Sequence, residues 1–410
     1  MTVIRYARMC RSVKFSGFAL EVDAKLKKEM EDEYSVQDCD DFVVEQHRMH
    51  LSLKKERINT MEFMGKKIWD EDPGVADDYR LRYINGINSY IKKMNEKCKT
   101  IRKEYISPEA LVKNQELYRE KFKEMIGLKA FETKSEKPVE MTYVGSDEIC
   151  RIYRMSVYIT DEIPFYAMLL IPHNVKTPMP LVIAQHGGGG TPELCCDMNG
   201  KNNYNHMVQR AMARGVAILA PQLLVWSKNE IDTMRAHNIP YDRGKIDVDL
   251  KRFGSSITAL EISGIMKALD FVSDMEEINA EKVAMIGLSY GGYFTLHTMA
   301  VDTRIKAGYC AGVFNDRDIY DSAVWCYKGS ALQFQDAEVA ALCAPRKLYV
   351  LVGKEDQVFD YRSAIAESKR MIDYFAAFEK SDNVRFSVWE GGHTIEDDDA
   401  GYKFIFDEIV

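Results

Sequence analysis

The residues Gly287-Leu288-Ser289-Tyr290-Gly291-Gly292 directly follow the apolar run KVAMIGL and precede YFTLHTMA. A serine flanked by glycines between a strand and a helix sits on a sharp turn. That turn lifts its hydroxyl above the sheet, where it can attack a carbonyl carbon. The glycines are needed because side chains would crowd the turn. The helix behind also places the positive end of its dipole near a developing oxyanion. A glycine-rich turn with an inert serine is the plain alternative, and the strand–turn–helix context argues against it. A second glycine run, Gly187 to Gly190, follows His186 at the end of PLVIAQH. Such a loop can aim backbone N–H groups at a carbonyl oxygen. Gly187 and Gly188 are the candidate donors, together with the amide of Tyr290, and a merely flexible turn is the alternative. His186 itself is expected to hold the loop in shape rather than to react.

A serine nucleophile needs a base and an acid behind it. Of the eight histidines, His393 follows the β-type run VRFSVW and the turn Glu390-Gly391-Gly392 near the C-terminus. A loop there can swing over the sheet toward Ser289. The acid is expected between Ser289 and His393 in the chain. Asp356, in GKED after RKLYVLV, is the leading candidate, and Asp316 and Asp318 are its rivals. The acidic run Glu396 to Asp399 suggests a cation site, but more simply reads as the start of the last helix, where the dipole favours acids.

These residues require a framework of strands and helices. The chain has 410 residues, 46% hydrophobic and 29% charged, which excludes disordered and fibrous classes. A net charge of −8 argues against a nucleic-acid partner. No run is apolar enough for a membrane span, and arginines and lysines interrupt the first twenty residues where a secretory signal would need an apolar stretch. Nine cysteines without a Cys-x-x-Cys pair show no metal-ligand spacing and suit reduced thiols, so a cytoplasmic location is expected. The first 125 residues hold only four of the 25 glycines and two of the 11 prolines, which marks a helical region. Phe42, Val43, Gln46, Met49 and Leu53 fit one helix face. Ile84, Ile87, Ile91, Met94, Cys98, Ile101 and Tyr105 form a stricter seam, either packed within the subunit or joining two copies. Ser107-Pro108-Glu109 opens a further helix that Gly127 closes. Beyond it, strands are expected at 149–159, 165–171, 180–186, 215–220, 282–288, 305–310, 346–352 and 384–389, with a helix at 257–273. Their alternation predicts an α/β fold with a doubly wound, mainly parallel sheet. The expected division is a helical region 1–127 and a catalytic domain 128–410.

From about residue 115 onward the chain resembles α/β-hydrolases of the dienelactone hydrolase and acetyl-xylan-esterase-like group. The resemblance rests on YREKFKEMIG, FYAMLLIP, MPLVIAQHGGGG, ALDFV, VAMIGLSYGG, GKEDQVF and EGGHTIEDD, in that order. It implies Ser289 as nucleophile, Asp356 as acid and His393 as base, with Tyr290 and the glycines after His186 as the oxyanion loop. Short-chain acyl esters of carbohydrates or related small molecules are the implied substrates, with no metal or organic cofactor. A prolyl-oligopeptidase-like peptidase, a carbon–carbon bond hydrolase and a catalytically silent binding module are the other readings. The serine departs from the cysteine of dienelactone hydrolases proper. Pro221-Gln222 stands where many relatives have Pro-Asp. Residues 225–254 match nothing and lie beside the expected pocket, so they are expected to cover it and restrict it to small acyl groups.

Overall fold

The structure is a computed structural model that describes residues 73–198, 202–224, 241–320 and 322–410. The helix expected around Phe42 to Leu53 lies outside these residues. Two compact units are present, Met1–Ser89 and Tyr90–Val410. Helix α1 spans Pro73–Tyr105. In the second unit it is followed by α2 (Pro108–Ile126), where Ser107 accepts from the amide of Ala110 and Gly127 ends the helix in the left-handed region. Leu111, Tyr118, Phe122 and Ile126 of α2 are buried in the core that also holds the sheet residues Met155, Leu169, Leu181 and Met285. The boundary expected at 127 therefore cuts through one packed core, because the apolar face of α2 packs into the core of the sheet. Of the predicted seam, Cys98 is buried while Ile84, Ile87 and Ile91 stay exposed.

The described strands are β1 (Glu140–Ser146), β2 (Cys150–Thr160), β3 (Ile163–Pro172), β4 (Met179–Gln185), β5 (Ala217–Pro221), β6 (Ile278–Leu288), β7 (Ile305–Ala311), β8 (Lys347–Gly353) and β9 (Val384–Trp389). They form a single sheet in the order β1-β2-β3-β5-β4-β6-β7-β8-β9. The three pairs at the β1 end are antiparallel and the five from β5 to β9 are parallel. The parallel strands are nearly continuous apolar runs because helices cover both faces. One face carries α2, α5 (Ile257–Ser273), α6 (Tyr290–Val301), α7 (Asp336–Cys343) and α8 (Tyr361–Ala377). The other carries α3 (Met207–Met212) and α9 (Ala400–Ile409). The remaining longer helix, α4 (Arg243–Lys251), contacts α5. Helix α5 matches its predicted span and turns Ile262, Ile265, Leu269 and Val272 into the core. Strand β1 was absent from the sequence-based expectation. Its residues are nearly all exposed, so no apolar alternation marks it.

Among the described residues, no helix is long and apolar enough to cross a membrane. Cys98, Cys150, Cys195, Cys196, Cys310 and Cys343 are buried thiols.

Candidate active site

Strand β6 ends at Leu288 and α6 begins at Tyr290, leaving one residue for the turn. Ser289 takes φ 60° and ψ −120°, a conformation rarely populated by residues with a side chain. Two close approaches hold it there. A Cβ at Gly287 would overlap the backbone of Gly291, and one at Gly291 would overlap the carbonyl of Gln185 at the end of β4. The amide of Ser289 donates to the carbonyl of Ala311 at 2.8 Å, tying the turn to the end of β7. Ser289 is half-buried.

His393 reaches the same place from the other side. A Cβ placed on Gly312 would lie 3.3 Å from both Cε1 and Nδ1 of His393. The imidazole thus lies against the residue next to the carbonyl that holds Ser289. His393 Nδ1 and Asp356 Oδ2 are 2.7 Å apart. The other oxygen of Asp356 accepts from the amides of Val358 at 2.7 Å and Phe359 at 3.1 Å. Burial would raise the Asp356 pKa, but the bond to His393, its charge and these amides outweigh that effect and hold it below the ordinary value. A carboxylate facing Nδ1 fixes the tautomer that presents Nε2 as the basic nitrogen. Asp316 and Asp318 lie elsewhere, each with an oxygen 3.6 Å from Lys99 Nζ. No hydrogen bond joins Ser289 to His393 in this structure, and such bonds commonly tighten only in the substrate complex.

The loop carrying His393 is strapped down by residues that carry no motif. Asn203 Nδ2 donates to the carbonyl of His393 at 2.9 Å, and Asn205 Nδ2 to that of Glu396 at 3.0 Å. Glu396 is buried and accepts from Tyr309 and Tyr349 hydroxyls at 3.0 and 3.1 Å and from the Gly401 amide at 2.9 Å. The acidic run is therefore not the first turn of the last helix. Glu396 anchors the loop to the sheet, Asp399 pairs with Arg210 and Arg214, and α9 begins only at Ala400. Among the described residues, no cluster of three or more His, Cys, Asp or Glu is arranged to hold a metal ion.

The glycine loop differs from expectation in one donor. The Gly187 amide donates to the buried Tyr204 hydroxyl at 2.8 Å, so this N–H is already engaged. Gly188 is the partly exposed member of the run, while Gly187, Gly189 and Gly190 are buried. Tyr290 is the first residue of α6, so its amide stands at the helix N-terminus. His186 is wholly buried. Its Nδ1 lies 2.9 Å from the Gly187 carbonyl and its Nε2 accepts from the Leu223 amide at 2.9 Å, so the ring is neutral and shapes the loop. Only a folded structure shows Tyr204 and Asn203 here, since their partners are 17 and 190 residues away in the chain.

Of the unmatched segment 225–254, residues 225–240 lie outside the described part. Its described end is fixed by a buried fork, in which Arg243 Nη1 and Nη2 each donate to Glu261 at 2.8 Å. Glu261 also accepts from the Leu224 amide at 2.7 Å. The Arg243 guanidinium lies 5.7 Å from the centre of the Tyr290 ring.

The sheet order, the strained serine between β6 and α6, and the covering helices define an α/β-hydrolase fold. No family model matches the chain. It is 24% identical over 163 residues to "Putative hydrolase YtaP" of Bacillus subtilis (strain 168), a match covering 37% of this chain. The chain spans about half the length of that relative, 54%. Among solved structures it is similar to a "putative acetyl xylan esterase" from Bacteroides fragilis NCTC 9343, with a TM-score of 0.56 and 17% identity over 69% of this chain and 76% of that one. It is also similar to Methylesterase BT1017, with a TM-score of 0.54 and 16% identity over 78% and 67% of the two chains.

Proposed function

We propose that the protein is a serine hydrolase of carboxylic esters. The observation that carries this reading is the convergence on Ala311–Gly312. The strained Ser289 turn is pinned to one residue, and the Asp356-bonded His393 ring lies against the next. In this reading His393 Nε2 takes the Ser289 proton as Oγ attacks the acyl carbon. The amides of Tyr290 and Gly188 stabilise the oxyanion, in place of the engaged Gly187. The alcohol leaves with the proton from His393, and water activated by the same ring releases the acid. Asp356 stays ionised throughout and stabilises the imidazolium.

Short acyl esters, such as acetyl esters of carbohydrates, are the proposed substrates. The likeness to structures described as an acetyl xylan esterase and a methylesterase supports this class. The Arg243–Glu261 fork sets the Arg243 guanidinium beside the Tyr290 ring. A fluorophosphonate should label the native chain and leave Ser289→Ala unlabelled, and that variant should lose roughly 10⁴-fold in kcat. In a panel of acyl-sugar, aryl-ester and dipeptide substrates, acetyl esters should turn over much faster than octanoyl esters. Labelling of Ser289→Ala would sink the nucleophile assignment, and cleavage of dipeptides alone would sink the ester assignment.

A further inference from the structure

One helical turn beyond Ser289, a cavity of about 250 Å³ lies beside α6. Its floor is formed by Tyr293 and His297 of α6 and by Gln335, and its aromatic walls by Phe122, Trp325 and Phe334. The floor is buried, whereas Ile91, at the rim, is half exposed, so the cavity opens beside α1. None of Ser289, Tyr290, Asp356, His393 or the glycine loop lines it.

The rings already pack on one another, leaving an aromatic surface on several sides. Tyr293 stacks on His297 at 3.7 Å between centres, and Phe122 meets Phe334 at 5.3 Å. The Tyr293 and Tyr327 hydroxyls are 2.7 Å apart and share one hydrogen bond. The polar atoms left over are mostly acceptors. His297 Nδ1 is 2.9 Å from the Tyr293 carbonyl, which can only accept, so Nε2 carries the lone pair. Burial, aided by the Arg317 charge, lowers the His297 pKa to about 3 and keeps the ring neutral. Asp318 uses one oxygen on Gln335 Nε2 at 3.0 Å, and its other, buried oxygen has no hydrogen-bond partner among the described residues. That oxygen lies 3.6 Å from Lys99 Nζ.

The charges limit what can enter. Arg317 is engaged by Asp336 through two bonds of 2.8 and 2.7 Å, so it offers little to an anion, while two carboxylates line the space. Its guanidinium also lies 4.8 Å over the Trp325 ring, a cation already in place on that ring. The volume exceeds the roughly 150 Å³ at which an apolar cavity already admits benzene, yet falls below the roughly 300 Å³ at which drug-sized pockets begin. We infer that this cavity is a binding site, separate from the Ser289 centre, for a small neutral molecule with one aromatic ring and an O–H or N–H donor. The ring packs against Phe122 and Phe334, and the donor bonds to His297 Nε2.

Phenol and anisole test this inference, because they share the ring and differ in the donor. In ¹H–¹⁵N spectra of the full chain, the Trp325 indole signal is assigned by its loss in Trp325→Phe. The Trp389 indole, whose ring packs on Gly391 in the His393 loop, reports on the catalytic side. Because the Trp325 ring also meets that of Tyr290 at 5.1 Å, the chain is first blocked at Ser289 with a fluorophosphonate; phenol should still shift the Trp325 signal and leave that of Trp389 in place. Anisole should bind about tenfold more weakly, the factor that one hydrogen bond is worth, and His297→Leu should shrink this difference. A shift at Trp389 without one at Trp325, or no shift at either, would overturn the separate site. Equal binding of phenol and anisole, or tighter binding of benzoate or glucose, would overturn the ligand class. If His297→Leu fails to fold, the comparison on the native chain still decides.

Discussion

The Ser289 turn and the His393 loop meet at the same two residues, but different forces hold them there. The turn is set by backbone. One residue joins β6 to α6, and glycines at 287 and 291 permit contacts that any Cβ would block. The loop is set by side chains from distant segments, namely Asn203, Asn205, Tyr309 and Tyr349, through bonds to its carbonyls and to Glu396. A backbone-defined element fails when an atom is added. A side chain-defined element fails when a partner is removed, and it fails by degrees.

The largest effect is expected from Gly291→Ala. Its new Cβ meets the Gln185 carbonyl within the sheet, which cannot move cheaply. A stability loss of more than about 4 kcal/mol is expected, read as loss of the folded chain in denaturant titrations. Wild-type stability would show that the turn relaxes more easily than its contacts imply.

Asp356→Asn comes next. The fold should persist while kcat falls by up to about 10⁴, because the amide favours the wrong histidine tautomer. Loss of activity in Asp316→Asn or Asp318→Asn, with Asp356→Asn unaffected, would move the acid to the end of β7.

Glu396→Ala tests the strapped loop. It leaves two buried tyrosine hydroxyls without their acceptor at a cost of about 1–3 kcal/mol, and misplaces His393 enough to lower kcat by about 10²-fold. Fluorophosphonate labelling of Ser289 should slow in parallel, with KM nearly unchanged. A rise in KM with kcat intact would place Glu396 in substrate binding rather than in positioning His393.

The smallest effect is in the pH dependence of stability. The Asp356 carboxyl has a lowered folded pKa, so its contribution is present above the unfolded value, about 3.9, and is lost as pH falls through the folded one. The decline in stability of the native chain below about pH 4 should therefore be shallower in Asp356→Asn. An identical acid limb in both chains would show that the Asp356–His393 bond adds nothing to folding.

What was legible in the sequence was whatever depends on neighbouring residues. The apolar runs from β2 to β9, the capped helices α2 and α5, and the glycine-flanked serine all follow from periodicity and local sterics, whose range is a few residues. Even His186, with a ring that stabilises its own loop, belongs to this group. What only the tertiary structure decided depends on contacts between distant segments. Tyr204 takes the Gly187 amide and leaves Gly188 to face outward. Glu396 becomes a buried anchor rather than part of a helical turn. Helix α2 joins the catalytic core instead of standing apart, and the choice of Asp356 over Asp316 and Asp318 as the partner of His393 is made by which strand ends lie side by side. The Tyr204 and Glu396 contacts leave no periodic or local trace, because a hydrogen bond across a sheet depends on which segments are brought within about 3 Å of each other, not on which residues precede or follow.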